Sequence, residues 1–248
     1  FDPPLHSGKS ALLHMQPDNI YRIDLQLDQD ADGKAESAED KVLPRIRAIV
    51  GDKPFKIDWV SVYKFRCIKL ENFVHNRVIF AGDSAHVVSP FGARGGNGGI
   101  QDVDNLGWKL AAVLQGQATD ALLDTYHSER KHGALENIKN SSRSADFLTP
   151  RNPAHALFRD AVLDLVKDHA FARPMVNSGR LSVPCTYEAS ALNGDDALPN
   201  GPSRTRPGSP CSDAPVDAGF LLQHLTGGFA VLAINATAPD SIVVEGTS

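Results

Sequence analysis

Cysteine is scarce in this sequence, and no two cysteines lie close together. The 248 residues contain only Cys67, Cys185 and Cys211. An odd and widely spaced set predicts neither a disulfide framework nor a cysteine-rich metal site. Long apolar runs are also missing, since none approaches the roughly 20 residues that a membrane-spanning helix needs. We therefore predict no metal site and no membrane partner, and we expect a cytoplasmic location.

An excess of positive charge is missing as well. The formal net charge is -5, from 25 Lys and Arg against 30 Asp and Glu, so there is no electrostatic basis for binding nucleic acid. Hydrophobic residues make up 42% of the chain and charged residues 22%, which is ordinary for a globular protein. The length predicts one large domain, or one domain and part of a second.

Alternation of apolar and polar residues predicts strands in the first third of the chain. Residues 10–15 and 20–27 flank a turn at 16–19 and are expected to pair as a hairpin. Residues 57–67 alternate again, which predicts a long strand with aromatic residues on one face. Residues 78–81 are apolar on both faces and predict a short central strand buried in a sheet.

Helical periodicity is present in residues 42–50, 100–114 and 118–142 and in a segment opened by Asn152 and Pro153. Asn is suited to cap a helix and Pro to occupy its first position. In the second of these segments, the residues expected to face the core are Ile100, Val103, Leu106, Leu110 and Leu114. Beyond a loop rich in Gly and Pro at 194–215, apolar runs at 220–225, 229–236 and 242–244 predict the opening of a small separate α/β unit.

Residues 77–109 carry the most informative pattern. An apolar run ends in Gly82 and Asp83, and a glycine-rich loop then leads into a helix that we expect to begin near Asn97. An ionised carboxylate only accepts hydrogen bonds, so Asp83 suits the hydroxyls of a sugar or ribityl chain. The glycines expected to allow positive φ and close backbone approach are Gly92, Gly95, Gly96 and Gly99. Because a helix start favours a negative ligand atom, the stretch predicts a backbone cradle for a flat, partly anionic cofactor.

Other interpretations of this stretch stay open at the level of sequence. The Gly-Asp-Ser triplet at 82–84 is compatible with a hydrolase nucleophile, although its flanks do not form G-x-S-x-G. The Arg-Gly-Gly triplet at 94–96 matches an RNA-binding motif, but only as a single copy. A phosphate-binding P-loop would need Gly-Lys-Ser or Gly-Lys-Thr, which is absent. A structural glycine-rich turn is the remaining alternative.

The spacing of four residue groups is typical of one family, and these groups are Gly82-Asp83-Ser84-Ala85-His86, Pro90-x-Gly92-x-x-Gly95-x-Asn97, Asp102-x-x-Asn105-Leu106-x-Trp108-Lys109-Leu110 and Tyr126-x-x-Glu129-Arg130. Together they resemble the second flavin motif of the single-component, class A FAD-dependent aromatic hydroxylases. The similarity is to the phenol hydroxylase and hydroxyphenylpropionate hydroxylase branch.

The resemblance implies a fold class and a division of the chain. It implies an α/β fold, in part α+β, that forms the C-terminal part of a Rossmann-like FAD/NAD(P)-binding hydroxylase. We accordingly expect residues 1–72 to be the remainder of a substrate-binding domain with a mixed sheet. Residues 73–182 would form the second FAD-binding segment and a helical connection, and residues 183–248 a linker and the start of a thioredoxin-like domain.

The same resemblance implies roles for individual residues. The residues implied to hold FAD are Asp83, Pro90, Gly92, Gly95, Gly96 and Asn97. Asp83 would bind a ribityl hydroxyl, Pro90 and Gly92 would lie beside the isoalloxazine ring, and Gly96 and Asn97 would offer backbone N–H groups to the pyrimidine edge of the ring.

Outside the flavin loop, the resemblance places Tyr63 against the substrate phenol, where its hydroxyl could help to remove the phenol proton. Core packing is the alternative for Tyr63, and the following Phe-Arg-Cys at 65–67 departs from the family's pattern. His86 has no carboxylate or second histidine at ligand spacing, so we predict a lone structural histidine. Glu129 and Arg130 are predicted to anchor their helix through an ion pair.

The resemblance further implies an activity, the hydroxylation of phenolic rings with FAD, NAD(P)H and O2. A related FAD enzyme acting on a polyketide-type phenol, and a non-catalytic truncation that serves as an interaction module, both stay open. The phenol used, the choice between NADH and NADPH, and a homodimeric state are not decided by the sequence.

One expected motif of this family is missing. A G-x-G-x-x-G fingerprint normally holds the nucleotide end of FAD, and no such pattern occurs in this chain. We therefore expect these residues to be the C-terminal part of a longer hydroxylase. By itself the chain is expected to bind FAD poorly and to be inactive with NAD(P)H.

Overall fold

A computed structural model describes residues 6, 9–28, 30–176, 178–179, 183–198, 200–225 and 228–241. The strands are β1 (Ala11–Met15), β2 (Tyr21–Leu25), β3 (Ile68–Lys69), β4 (Val74–His75), β5 (Val78–Ile79), β6 (His86–Val87), β7 (Pro215–Val216) and β8 (Gly219–Phe220). The α-helices are α1 (Gly33–Glu36), α2 (Glu39–Val50), α3 (Arg94–Leu114), α4 (Leu122–Leu148), α5 (Pro153–Asp168), α6 (Arg173–Val176) and α7 (Leu221–His224). The structure is thus a mixture of helices and short strands.

The chain divides into two compact units, each assembled from separate segments. The first unit comprises Phe1–Arg66 and Ser142–Ser178, and the second comprises Cys67–Ser141 and Gly179–Ser248. Helix α4 contributes residues to both units. The three-part division expected from the family resemblance stays a prediction.

In the first unit, three of the local sequence signals are confirmed. Strands β1 and β2 form the predicted antiparallel hairpin, with Leu13 opposite Ile23. Helix α2 ends at Gly51 as predicted. Helix α5 begins with Pro153, and the side chain of Asn152 accepts a hydrogen bond from the backbone N–H of His155 at 2.9 Å.

The long strand predicted at 57–67 is wrong. None of the described residues pairs with this segment as a strand, and the exposed fractions of Trp59, Tyr63 and Phe65 are 69%, 62% and 58%. The side chain of Tyr63 is therefore not part of a core, and its ring centroid lies 6.0 Å from that of Trp59 and 6.3 Å from that of Phe65. Alternation of apolar and polar residues shows which side chains would share one face of a strand. It does not show whether a neighbouring strand is available to bond the backbone N–H and C=O groups, which a strand also needs.

In the second unit, a small core joins short hairpins to helix α4. Its buried residues are Phe73, Ala85, Tyr126 and Ala134. Strand β3 pairs with β6, and β4 pairs with β5, both antiparallel. The Tyr126 hydroxyl donates a hydrogen bond to the Phe80 carbonyl at 2.7 Å. The buried central strand predicted at 78–81 is wrong, because β5 is part of a two-residue hairpin and Val78 is exposed.

Helix α3 presents the predicted face to the core only in part. Leu106 packs against the core as predicted. Ile100, Val103 and Leu114 are exposed, whereas Asp102 and Lys109 are fully buried. The polar side chains are buried because α4 offers them charged partners, which apolar periodicity does not reveal. At 21 and 27 residues α3 and α4 are long, yet none of the helices among the described residues is both long and apolar enough to cross a membrane.

Towards the end of the chain, β7 and β8 form a hairpin that leads into α7. The strand predicted at 229–236 is wrong, because the structure assigns no strand to these described residues. The ring of Phe229 instead lies edge-on to that of Trp108, with centroids 5.6 Å apart. The run predicted at 242–244 lies outside the described residues.

One histidine of helix α4 makes the second unit sensitive to pH. His127 Nδ1 accepts a hydrogen bond from the backbone N–H of Phe73 at 3.1 Å, which requires an unprotonated nitrogen. Burial lowers the pKa of His127, and the charge of Lys131 lowers it further. Because the folded pKa lies below the ordinary value of about 6.5, stability is full above that value and is lost as the pH falls towards the folded pKa.

We therefore expect the substitution His127→Gln to flatten the dependence of unfolding temperature on pH between about pH 5 and 7. The matched control is His132→Gln, since His132 is exposed on the same helix. Thermal unfolding followed by circular dichroism at a series of pH values measures both. If the two variants show the same pH dependence, His127 is not the responsible group.

Candidate functional site

The Gly82 turn, defined as Gly82–Ser84, is a 3-10 turn that follows the β4–β5 hairpin. Its first residue has a φ of 58°, a conformation that favours glycine. The Ser84 hydroxyl donates to the Ala81 carbonyl at 2.7 Å and accepts from the Ala81 N–H at 3.2 Å. The turn is therefore closed by its own backbone and Ser84, and it leaves Asp83 exposed.

A second turn leads into helix α3. The Ala93 N–H donates to the Pro90 carbonyl at 3.0 Å, and Gly92 has a φ of 86°. The helix begins at Arg94, earlier than predicted, so the positive φ expected at Gly95, Gly96 and Gly99 is wrong. These residues are helical, because the left-handed residues Gly92 and Ala93 have already turned the chain.

The first helical turn of α3 presents backbone rather than side chains. Gly95 and Gly96 hold positions at which a helix leaves N–H groups without an intrahelical acceptor. The Asn97 side chain is used within the helix start, where its Nδ2 donates to the Ala93 carbonyl at 2.7 Å. The Asn97 side chain thus holds the helix start together, and the ligand-binding roles expected for Gly95, Gly96 and Asn97 stay predictions.

The four glycines near the start of α3 fall into two pairs with different surroundings. A Cβ on Gly98 would lie 3.2 Å from His86 Cε1, and one on Gly99 would lie 3.5 Å from the Cα of Gly82. A Cβ on Gly95 or Gly96 would meet no described atom within 4 Å. A side chain at Gly98 would therefore crowd His86, one at Gly99 would just touch the Gly82 turn, and the backbone at Gly95 and Gly96 is open.

Two serines fix the loop that contains Pro90. The Ser141 hydroxyl lies 3.0 Å from the Phe91 carbonyl oxygen and 3.2 Å from that of Ser89. The hydroxyls of Ser89 and Ser141 are 2.5 Å apart, and both side chains are buried. Sequence reasoning missed this clamp, because the serines are far apart in the chain and neither belongs to a recognised pattern.

Beneath the Gly82 turn lies the carboxylate of Asp102, which is fully buried. Its Oδ2 accepts from the Gly82 N–H at 2.7 Å and lies 2.8 Å from His86 Nε2, while its Oδ1 accepts from Arg130 Nε at 2.5 Å. Burial by itself raises the pKa of Asp102, but the hydrogen bond from His86 and the charge of Arg130 outweigh it, so the pKa is lowered. His86 is thus buried and bonded within the fold, in keeping with the structural role predicted for it, but it is not alone, since its partner Asp102 comes from α3.

Both charged residues predicted to anchor α4 are paired with α3. Arg130 Nη2 donates to the Gly98 carbonyl at 3.2 Å, in addition to its bond with Asp102. Glu129 accepts from Lys109 Nζ at 2.6 Å. The predicted ion-pair anchoring is confirmed, and it consists of two buried pairs that hold α4 against α3.

These contacts bear on the alternatives that the sequence left open. The Ser84 hydroxyl bonds to the Ala81 backbone and His86 bonds to Asp102, so the structure does not show the Ser–His pair of a hydrolase. Arg94 is buried and donates to the Val183 carbonyl at 3.3 Å, unlike an RNA-binding Arg-Gly-Gly segment on a surface.

The structure places the six flavin residues expected from the sequence in the second unit, and these are Asp83, Pro90, Gly92, Gly95, Gly96 and Asn97. The residue expected to contact substrate, Tyr63, belongs to the first unit. The roles of all seven stay predictions.

The glycine-bearing turn and the helix start lie in a mixed α/β unit, and the class of protein follows from comparison with known families. Residues 7–141 match the family model of the FAD binding domain. The chain therefore belongs to this family, and its relatives place it among the class A FAD-dependent aromatic hydroxylases. The resemblance recognised in the sequence and the expectation of FAD are both confirmed.

Two relatives and one solved structure illustrate the similarity. The chain is 33% identical over 204 residues to the 3-(3-hydroxy-phenyl)propionate/3-hydroxycinnamic acid hydroxylase of Mycolicibacterium vanbaalenii, which covers 79% of this chain and 36% of the relative. It is 38% identical over 143 residues to the tetracenomycin B2 monooxygenase-dioxygenase of Streptomyces olivaceus, covering 52% and 26%. The rebeccamycin biosynthetic enzyme RebC with reduced flavin superimposes with a TM-score of 0.61 at 26% identity, covering 82% of this chain and 39% of RebC. The chain thus spans about a third of the length of the first of these relatives.

The geometry predicts that Asp102→Asn destabilises the second unit by at least about 3 kcal/mol, because it leaves the buried charge of Arg130 without its partner. An amide also has a single oxygen, whereas Asp102 uses both of its oxygens as acceptors. Folding lowers the pKa of Asp102, so its carboxylate stabilises the folded state at neutral pH. This stabilisation disappears as the pH falls through the folded pKa, and the variant lacks it at every pH.

Urea unfolding at neutral pH measures this difference. Asp104→Asn is the matched control, because Asp104 is exposed two residues further along the same helix. Equal stability of the two variants would show that Asp102 does not hold the unit together.

Proposed function

We propose that the protein containing this chain hydroxylates phenolic rings with FAD, NAD(P)H and O2. The observation that carries the proposal is the bare backbone of Gly95 and Gly96 at the start of a 21-residue helix, in a chain of the FAD binding domain family. A helix start of this kind favours a ligand atom with negative charge. FAD, when bound, would supply the transfer of electrons from NAD(P)H and the activation of O2.

Within this proposal, the chain's own residues hold and orient the flavin. The exposed carboxylate of Asp83 accepts hydrogen bonds from ribityl hydroxyls. The backbone N–H groups of Gly95, Gly96 and Asn97 at the start of α3 meet the edge of the ring that carries negative charge. Pro90 and Gly92 line the approach to the ring, and the serine clamp at Ser141 keeps their loop in place.

The substrate is proposed to be a small phenol, and Tyr63 is proposed to contact it. The hydroxyphenylpropionate hydroxylase relative supports a monocyclic phenol, since it matches 79% of this chain. The tetracenomycin monooxygenase-dioxygenase supports a polyketide-type phenol as the second candidate, because it has the higher identity at 38%. The exposed ring of Tyr63 is compatible with contact to either, and the thioredoxin-like nature of residues 183–248 is proposed from the sequence resemblance alone.

The prediction from this proposal is that Asp83→Ala weakens FAD binding by about tenfold, the effect of losing a hydrogen bond to a charged acceptor. The measurement uses the full-length protein that contains this chain, titrated with FAD and followed by flavin fluorescence. Asp120→Ala serves as control, because Asp120 is also exposed but precedes helix α4.

Oxidation of NADH and NADPH is then recorded with 3-hydroxyphenylpropionate and with a polycyclic phenol. Hydroxylated product from the first supports a small phenol, and product from the second alone supports the polyketide-type alternative. A protein that binds FAD but hydroxylates neither class would contradict the proposed activity, and a wild-type protein that fails to bind FAD would contradict the proposed site.

A further inference from the structure

A strap formed by residues 183–190 crosses the two helices that carry the buried ion pairs. The Val183 carbonyl accepts from Arg94, the Tyr187 hydroxyl accepts from Arg130 Nη1 at 2.6 Å, and the Ser190 hydroxyl donates to Glu129 Oε1 at 2.5 Å. The flavin motifs do not include this segment, which was expected from the sequence to be a linker. Its contacts nevertheless fall on the first residue of α3 and on both anchoring residues of α4.

The position of Tyr187 is fixed from several sides. Its backbone N–H donates to the Gly208 carbonyl at 2.9 Å, and its own carbonyl accepts from Asn193 Nδ2 at 2.7 Å. Gly133 on α4 lets the strap approach, because a Cβ there would lie 2.9 Å from Arg130 Nη1 and 3.1 Å from Cys185 Sγ. Burial raises the pKa of Tyr187 to about 12, so its hydroxyl stays protonated at neutral pH.

The guanidinium of Arg130 links Tyr187 to the Gly82 turn and to the early part of α3. Its three nitrogens bond to Tyr187, to Asp102 and to the Gly98 carbonyl. Asp102 in turn holds the Gly82 N–H at 2.7 Å, so Arg130 supports both the Gly82 turn and the early part of α3. The Ser190 hydroxyl contacts a different part of the hydrogen-bond network. Its partner Glu129 is bonded to Lys109 and Asn105 near the middle of α3.

We propose that Tyr187 is a positioning residue for the flavin, whose hydroxyl holds Arg130 and thereby sets the backbone of the Gly82 turn and the start of α3. The inference rests on the proposed function of this loop. It means that Tyr187, although it follows the helical connection, contributes to the flavin site through Arg130. Loss of the Tyr187 hydroxyl would leave one nitrogen of a buried guanidinium without its acceptor, and Arg130 would then shift away from Asp102 and Gly98.

The test compares two variants that each remove one hydroxyl from the strap, Tyr187→Phe and Ser190→Ala, in the full-length protein that contains this chain. We expect Tyr187→Phe to weaken FAD binding about fivefold and to shift the visible absorption bands of the bound flavin. Ser190→Ala is expected to lower the unfolding temperature of the apoprotein but to keep FAD affinity within about twofold of the wild type and to leave the flavin bands in place. A purely structural strap would give both variants the same change in FAD affinity.

A third variant, Tyr187→Gln, separates the hydroxyl from the ring. Its amide oxygen can accept from Arg130, so it is expected to bind FAD more tightly than Tyr187→Phe. The proposal is overturned if Tyr187→Phe binds FAD with wild-type affinity and spectrum, if it matches Ser190→Ala, or if Tyr187→Gln loses as much affinity as Tyr187→Phe. If Tyr187→Phe fails to fold, the comparison of Tyr187→Gln with Ser190→Ala decides. We then expect the flavin absorption bands of Tyr187→Gln to match those of the wild type, and altered bands would count against the proposal. A wild-type protein that does not bind FAD contradicts the proposed function itself, and this inference falls with it.

Discussion

The buried carboxylate of Asp102 is the constraint on which the Gly82 turn and its contact with helix α3 depend. It takes a hydrogen bond from the Gly82 N–H, bonds to His86 and pairs with Arg130 at 2.5 Å. These partners come from the turn, from β6 and from α4, so one side chain ties together three pieces of backbone. A buried ion pair of this kind is costly to break, because removal of one partner leaves the other charge without compensation.

This arrangement explains why helix α3 buries charge and exposes apolar residues. Asp102 and Lys109 face α4, where Arg130 and Glu129 receive them. With the helix held through these pairs, its first turn is free to carry Gly95 and Gly96, whose low helix propensity is tolerated. The physical cost of a glycine-rich helix start is therefore offset by the ion pairs that lie further along the same helix.

The sequence was sufficient to predict the family, because the spacing of Gly82, Asp83, Gly92 and Asp102 lies within one local stretch. Hairpin β1–β2 and the Asn152 cap were also predictable, since neighbouring residues decide them. The strands predicted at 57–67 and 78–81 were wrong, because strand pairing and burial depend on distant partners that the local pattern does not contain. The contact of Tyr187 with Arg130 joins residues 57 positions apart and carries no local signal.

The central claim is that Asp102 and Arg130 act together to set the geometry of the Gly82 turn and the start of α3, the proposed flavin site. A double-mutant cycle on the FAD dissociation constant, with Asp102→Asn, Arg130→Gln and their combination, tests it most directly. If the two residues act together, the double variant loses little more affinity than either single variant, with a coupling of at least about 1 kcal/mol. Losses that add to within about 0.5 kcal/mol would contradict the account.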